Sequence, residues 1–184
     1  MTQMAEICDN KAVGAVITDR AGRYLLFSRV TYPAGFAPVE GHVDGHRNFR
    51  AAVRAIVGQE CGLEVLAVTR AWSGWRGNAC HRRPGPAGVG HDWRICRAEV
   101  AGILTPGAGT IAVRTVTERD LQQLANRTAL YARGQVSDAG LAGRPGLEPV
   151  WVGFFHELGL VVMTPGDLAL TDRLASRPAS GGAP

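Results

Sequence analysis

The stretch from Gly41 to Leu63, GHVDGHRNFRAAVRAIVGQECGL, constrains the fold of this chain more than any other. Its apolar residues Phe49, Ala52, Val53, Ile56 and Val57 fall at offsets 0, 3, 4, 7 and 8, the period of a helix face packed on a sheet. Asn48 is of a type that caps a helix start, and Gly62 suits a left-handed stop at its end. A loop, a helix and a second loop are therefore predicted here.

Upstream, AVGAVITDRAGRYLLFSR (12–29) has two apolar runs joined at Asp19-Arg20-Ala21-Gly22, the pattern of a hairpin. PAGFAPVEGHVDG then leads into the helix through a loop over 31–48. With Gly41 as its first glycine, the 41–63 stretch resembles the Nudix box, G-x5-E-x7-R-E-U-x-E-E-x-G-U with U a bulky aliphatic, and Gly62 and Leu63 meet its last two positions without a gap. The similarity covers roughly residues 10 to 160.

The resemblance implies an α/β fold, a Nudix-type α/β/α sandwich with a mixed β-sheet. The box helix would lie on one side and the C-terminal helices on the other. In the family, three box glutamates share one helix face and hold Mg²⁺ or Mn²⁺ against a pyrophosphate. Here those positions carry Ile56, Gln59 and Glu60, the earlier box glutamate is Arg47, and the box arginine is Ala55. Glu60 is thus the surviving box ligand candidate. Two unit charges ~4 Å apart interact by about 4 kcal/mol at an effective dielectric of ~20, so losing two carboxylates removes an attraction that Gln59 cannot replace. No metal ligand set is assigned, and no cofactor is required; Mg²⁺ enters only if the chain is a hydrolase.

A second concentration of chemistry lies in Glu40-Gly41-His42-Val43-Asp44-Gly45-His46. An extended backbone would project Glu40, His42, Asp44 and His46 to one side. Imidazoles beside carboxylates suit acid–base work near neutral pH, or a Zn²⁺-type site; otherwise the segment braces its loop. Asp44, His46, His42 and Glu60 are the catalytic candidates. Farther on, GNACHRRPGPAGVGHD (77–92) is a glycine- and proline-rich loop that places Cys80, His91 and Trp93 as substrate-contact candidates together with Glu40. Cys80 and His81 would point to opposite sides of an extended chain, so His91 or His46 is the better partner for that sulfur.

Strands are expected over 63–70, 71–76, 93–102 and 110–116. A helix should run from Thr117 to about Arg133, 134–148 should be a connector, and a last helix should start near 149. At 184 residues and 46% hydrophobic composition, the chain suits one domain, expected over 1–171 with a disordered tail over 172–184. It has no run of 18 apolar residues and no signal-peptide pattern at its start, so a cytoplasmic protein without a membrane partner is expected. The net charge of +4 comes from scattered arginines, which argues against a nucleic-acid partner. The four cysteines, Cys8, Cys61, Cys80 and Cys96, form no CxxC pair and read as free thiols.

Three functions follow. The leading one is a divergent Nudix-superfamily enzyme acting on a small molecule, with metal-dependent pyrophosphate hydrolysis weakened or replaced by His/Asp acid–base chemistry. The Arg-, Ala- and Gly-rich composition fits a GC-rich genome, and a bacterial biosynthetic pathway would suit this reading. The alternatives are a Mg²⁺-dependent hydrolase of a nucleoside-diphosphate-linked substrate and a catalytically silent ligand-binding domain. Nudix proteins often form dimers, so a homodimer is one expected assembly.

Overall fold

The first apolar run, KAVGAVI, is buried at every position after Lys11, so its strand needs cover on both faces and partners on both edges. The computed structural model, which describes residues 6–29, 35–43, 45–108 and 110–177, supplies both. In chain order the strands are β1 (Lys11–Ile17), β2 (Tyr24–Arg29), β3 (Phe36–Ala37), β4 (Val39–His42), β5 (Glu64–Arg76), β6 (His91–Ala101) and β7 (Thr110–Val116). The helices are α1 (Phe49–Cys61), α2 (Glu118–Ala132), α3 (Asp138–Gly143), α4 (Pro149–Glu157) and α5 (Pro165–Ala175).

A four-stranded mixed sheet has the order β4-β1-β6-β5, and β1 pairs antiparallel with β4 and parallel with β6. A smaller antiparallel sheet has the order β3-β2-β7. The expected hairpin turn forms, with Asp19 N–H donating to Arg23 O and Gly22 N–H to Asp19 O, but beyond the Thr18–Tyr24 bridge its strands part into different sheets. Burial on two sides explains the parting. Val13, Ala15, Leu25 and Phe27 enter one apolar cluster while Ala12, Val16, Tyr24 and Leu26 enter the other.

Helix α1 packs on one face of the larger sheet through Ala52, Val53, Ile56, Val57 and Cys61. Asn48 caps it, accepting from Ala51 N–H at 3.0 Å, and Gly62 ends it at φ 66°. Gly41 permits the approach, since a Cβ there would lie 2.8 Å from Ile56 Cδ1. On the opposite face, α4 inserts Trp151, Phe154 and Phe155 among Trp93, Ile95 and Ala12. Trp151 lies directly over Gly14, where a Cβ would come within 2.6 Å of its ring, and its indole N–H donates to Glu40.

Several expectations meet different elements. Strand β5 is continuous from 64 to 76, with a register shift between Arg70 and Trp72 in place of a break. The 31–48 loop contains β3 and β4, and the 134–148 connector contains the short α3. Helix α4 is followed by α5, so the domain boundary expected at 171 falls within a helix. Residues 178–184 of the expected tail lie outside the described residues.

Trp151 is fully buried and touches Trp93, Phe154 and Phe155 at ring-centroid distances of 5.2 to 6.4 Å. Trp151→Ala is expected to lower stability by about 3–5 kcal/mol, measured by urea denaturation. A loss below 1 kcal/mol would show that α4 does not depend on this ring.

Candidate functional site

The box helix presents little for a cation. Ile56 is 8% exposed and packs with Val53 and Val57 into the core, so its position is part of the α1–sheet contact. Gln59 is exposed and Glu60 half-buried. The backbone around Glu60 is engaged by the next loop, with Gly107 N–H donating to Glu60 O at 2.9 Å.

The alternation expected for 40–46 holds across β4, where Glu40 and His42 both face the α4 side while Val39 and Gly41 face α1. Asp44 lies outside the described residues, and His46 is half-buried in the turn that precedes α1, its N–H bonded to Val43 O at 3.0 Å. Glu40 accepts from Trp151. His42 and Glu60 are therefore on opposite sides of the larger sheet, and Glu40, His42 and Glu60 do not form one site.

His42 instead meets residues distant in sequence. Its Nε2 lies 3.4 Å from Cys8 Sγ and 3.3 Å from Cys80 Sγ, while His91 Nε2 lies 3.2 Å from Cys8 Sγ. One donor atom from each of Cys8, His42, Cys80 and His91 falls within 4.8 Å of every other. Among the described residues this is the group able to surround a metal ion. Four segments supply it. Cys8 precedes β1, His42 ends β4, Cys80 sits in the 77–90 loop and His91 opens β6.

Chemistry fixes the His91 tautomer. Trp93 Nε1–H, a donor only, points at Asn78 at 3.2 Å, so the Asn78 atom there must be Oδ1. His91 Nδ1 lies 2.8 Å from that same oxygen and must donate to it, which leaves the lone pair on Nε2 facing Cys8. Burial pushes the His91 pKa down to about 4, helped by the neighbouring His42, so the ring is neutral at pH 7. Both sulfurs accept a backbone N–H from two residues on, Asn10 N–H to Cys8 at 3.3 Å and Arg82 N–H to Cys80 at 3.4 Å. Burial raises the Cys8 thiol to about 11, against the lowering effect of the Asn10 N–H.

The loop is stitched to the start of β1. Asn10, at φ 57°, donates through its side chain to Gly88 O and Gly90 O at 2.9 and 2.7 Å, and its Oδ1 accepts from Ala87 N–H at 3.2 Å. Gly85 is required, because a Cβ there would lie 2.1 Å from Cys8 O. Beside this seam is a cavity of about 300 Å³ lined by Asn10, Asn78, Cys80, His81, Arg82 and Val89, among others. Cys80 thus lines a cavity, whereas Trp93 is 2% exposed and His91 3% exposed in the wall behind it. Cys61 and Cys96 are buried away from the cluster, with burial raising their thiols to about 12 and 11.

Sequence reasoning missed Cys8 and Asn78 and did not join His42 to Cys80 and His91. Neither sequence spacing nor strand alternation carries that grouping, which spans 83 positions between Cys8 and His91.

No protein-family model matches the sequence, and no curated protein matches it. Solved structures do share its architecture. The MutT protein from Methanosarcina mazei Go1 superposes with a TM-score of 0.58 at 15% identity, covering 86% of this chain and 96% of that one. The MutT Nudix hydrolase from Burkholderia pseudomallei gives 0.51 at 18% identity, with 62% and 85% covered. A Nudix hydrolase from Nitrosomonas europaea gives 0.50 at 16% identity, with 62% and 76% covered. These likenesses establish the Nudix fold.

Because position 56 is inside the core, restoring box carboxylates should harm the protein. Ile56→Glu with Gln59→Glu is expected to reduce stability by about 2–4 kcal/mol. Denaturation with and without millimolar Mg²⁺ checks this, and full recovery with Mg²⁺ would show that the α1 face can still hold a cation.

Proposed function

We propose that this Nudix-fold chain binds a small molecule and does not perform box-metal pyrophosphate hydrolysis. The observation that carries the reading is Ile56: where the box would place a carboxylate, an aliphatic side chain packs into the core beneath Gly41. Glu60 is then one carboxylate where Mg²⁺ chemistry uses several ligands and the substrate's own oxygens. The 300 Å³ cavity lies at the low end of small-ligand sites, and its wall combines apolar Val89 with the polar groups of Asn10, Asn78, His81 and Arg82. Among the described residues, no helix is long and apolar enough to cross a membrane.

Calorimetry is expected to show no Mg²⁺ binding tighter than about 1 mM, and ADP-ribose, dinucleotides and nucleoside triphosphates should not be turned over with Mg²⁺. Micromolar Mg²⁺ affinity with turnover would overturn the reading in favour of the Mg²⁺-dependent hydrolase. The ligand site is tested by a metabolite thermal-shift screen of the wild type and Val89→Trp, which fills the cavity. A compound that stabilises both proteins equally binds elsewhere and removes the cavity from the proposal.

A second reading keeps catalysis. His46 is held in an anchored turn, because Val43 N–H donates to Lys11 O at 3.1 Å and His46 N–H donates back to Val43 O. His46, two residues from Asp44 in sequence, makes with it the remaining acid–base pair of the 40–46 segment. Under this reading Asp44→Asn and His46→Ala each lower turnover of the compound found in the screen by about 10²–10⁴-fold, with an unchanged melting temperature and no effect of EDTA on the box. Unchanged turnover in both folded variants would leave binding alone.

A further inference from the structure

We propose that Cys8, His42, Cys80 and His91 form a closed, tetrahedral Zn²⁺ site that staples the 77–90 loop to the start of β1. The site is separate from the box and stands whether or not the small-molecule reading holds.

Geometry comes first. Zn–S bonds of about 2.3 Å and Zn–N bonds of about 2.0–2.1 Å in a tetrahedron put neighbouring donor atoms about 3.3–3.8 Å apart. Three sulfur–nitrogen separations here are 3.2, 3.3 and 3.4 Å, and all donors lie within 4.8 Å of one another. The three sulfur–nitrogen contacts need to lengthen by only a few tenths of an ångström about a central ion, and every other pair is already within 4.8 Å. Two thiolates with two imidazoles are the donor set that favours Zn²⁺ over Mg²⁺ or Ca²⁺, which take oxygen.

The surroundings are those of a ligand shell. A metal-binding histidine donates its second ring N–H to a fixed acceptor, which sets the tautomer and the ring plane. Asn78 does this for His91, and Trp93 in turn fixes Asn78. The backbone N–H groups of Asn10 and Arg82 reach the two sulfurs, as suits thiolates, which are acceptors without a proton to give. Cys8 and His91 are 2% and 3% exposed, so their polar atoms have little access to water. Without an ion, the contacts within the cluster rest on the two thiol protons and the ring N–H groups alone; an ion would give each of the four donor atoms a common partner.

Four protein donors leave no open coordination position, so the ion stabilises and does not activate water. What it stabilises is specific. Most of residues 81–89 are exposed, and the loop's own buried anchors are Asn78 and Gly90 at its ends. The segment's order rests on Asn10, on pairing of Ile7 with Arg83, and on Cys80 in the cluster. Because Cys8, Asn78 and Cys80 also line the cavity, metal occupancy sets its shape.

The test uses the full chain under reducing conditions. Metal-free protein titrated with Zn²⁺ against a chromophoric chelator is expected to take up one equivalent with Kd tighter than about 1 μM. Co²⁺ in place of Zn²⁺ should give the intense visible bands of a tetrahedral site together with a thiolate-to-metal charge-transfer band. Cys80→Ser and His42→Ala should each weaken Zn²⁺ binding at least about 100-fold, while His81→Ala, outside the ligand set, stays within about threefold. Trypsin cleavage after Arg82 should accelerate when the metal is removed. Binding weaker than 1 μM by folded wild type, a Co²⁺ complex without the charge-transfer band, or unchanged affinity in Cys80→Ser and His42→Ala would each overturn the site. Should a ligand variant fail to fold, the wild-type Co²⁺ spectrum still decides whether sulfur ligates the ion.

Discussion

The two-sided pairing of β1 is the constraint on which the arrangement of this molecule depends. Its register sets Ala12 opposite His42 on β4 and opposite Trp93 on β6. Cys8 enters from just before the strand, so one end of β1 receives a cysteine and two histidines from three different segments. A shift of one residue in either pairing would turn His42 or His91 to the α1 face and dismantle the cluster. That register is itself held by burial, because Val13, Ala15 and Ile17 need α1 and Ala12 and Val16 need α4.

The same alternation separates the two places where chemistry was expected. Gly41 faces Ile56, while its neighbours Glu40 and His42 face away from α1. A site drawing on both Glu60 and His42 would have to pass through the sheet. Carboxylates on the box helix and the histidine of β4 are thus independent variables, and a chain can lose the first while elaborating the second. Trp151 reinforces the division by covering Gly14 and engaging Glu40, which closes the centre of that face and leaves the β1 end as its accessible chemistry.

Local signals in the sequence were read well because local physics decides them. The apolar period of α1, its Asn48 cap and its Gly62 stop are all set within thirteen residues and their flanks. The capping box of Thr117 and Asp120 likewise placed the start of α2. The box resemblance pointed to the Nudix fold, and the four-stranded mixed sheet with helices on both faces agrees. What the sequence did not display was decided at long range. β3 is two residues long and carries no periodic signal, and the alternation over 40–46 did not mark β4 as a paired strand inside a loop rich in glycine and proline. Helix α5 has only a weak apolar stripe; Thr164 caps it by accepting from Asp167 N–H, and its attachment comes from Asp167, which takes two hydrogen bonds from Arg133 at 2.6 and 2.7 Å. The grouping of Cys8 with Cys80 needed the register of β1 and the Asn10 clamp, neither of which leaves a spacing motif.

Electrostatics gives a reason why a depleted box and a Cys₂His₂ cluster are compatible in one chain. A cation on carboxylates at the box is balanced partly by substrate phosphates and needs water and an open edge, whereas Ile56 carries its part of the helix face into the core. Two thiolates around a dication, with two neutral imidazoles, make a group of zero net charge. Such a group can occupy the partly buried site beside Asn78 without the large desolvation penalty of an isolated ion. The His91 tautomer that leaves Nε2 facing the cluster is already fixed by Asn78. In this fold, then, burial acts on opposite faces of one sheet: on one it draws Ile56 of α1 into the core, and on the other it encloses Cys8 and His91 at the start of β1.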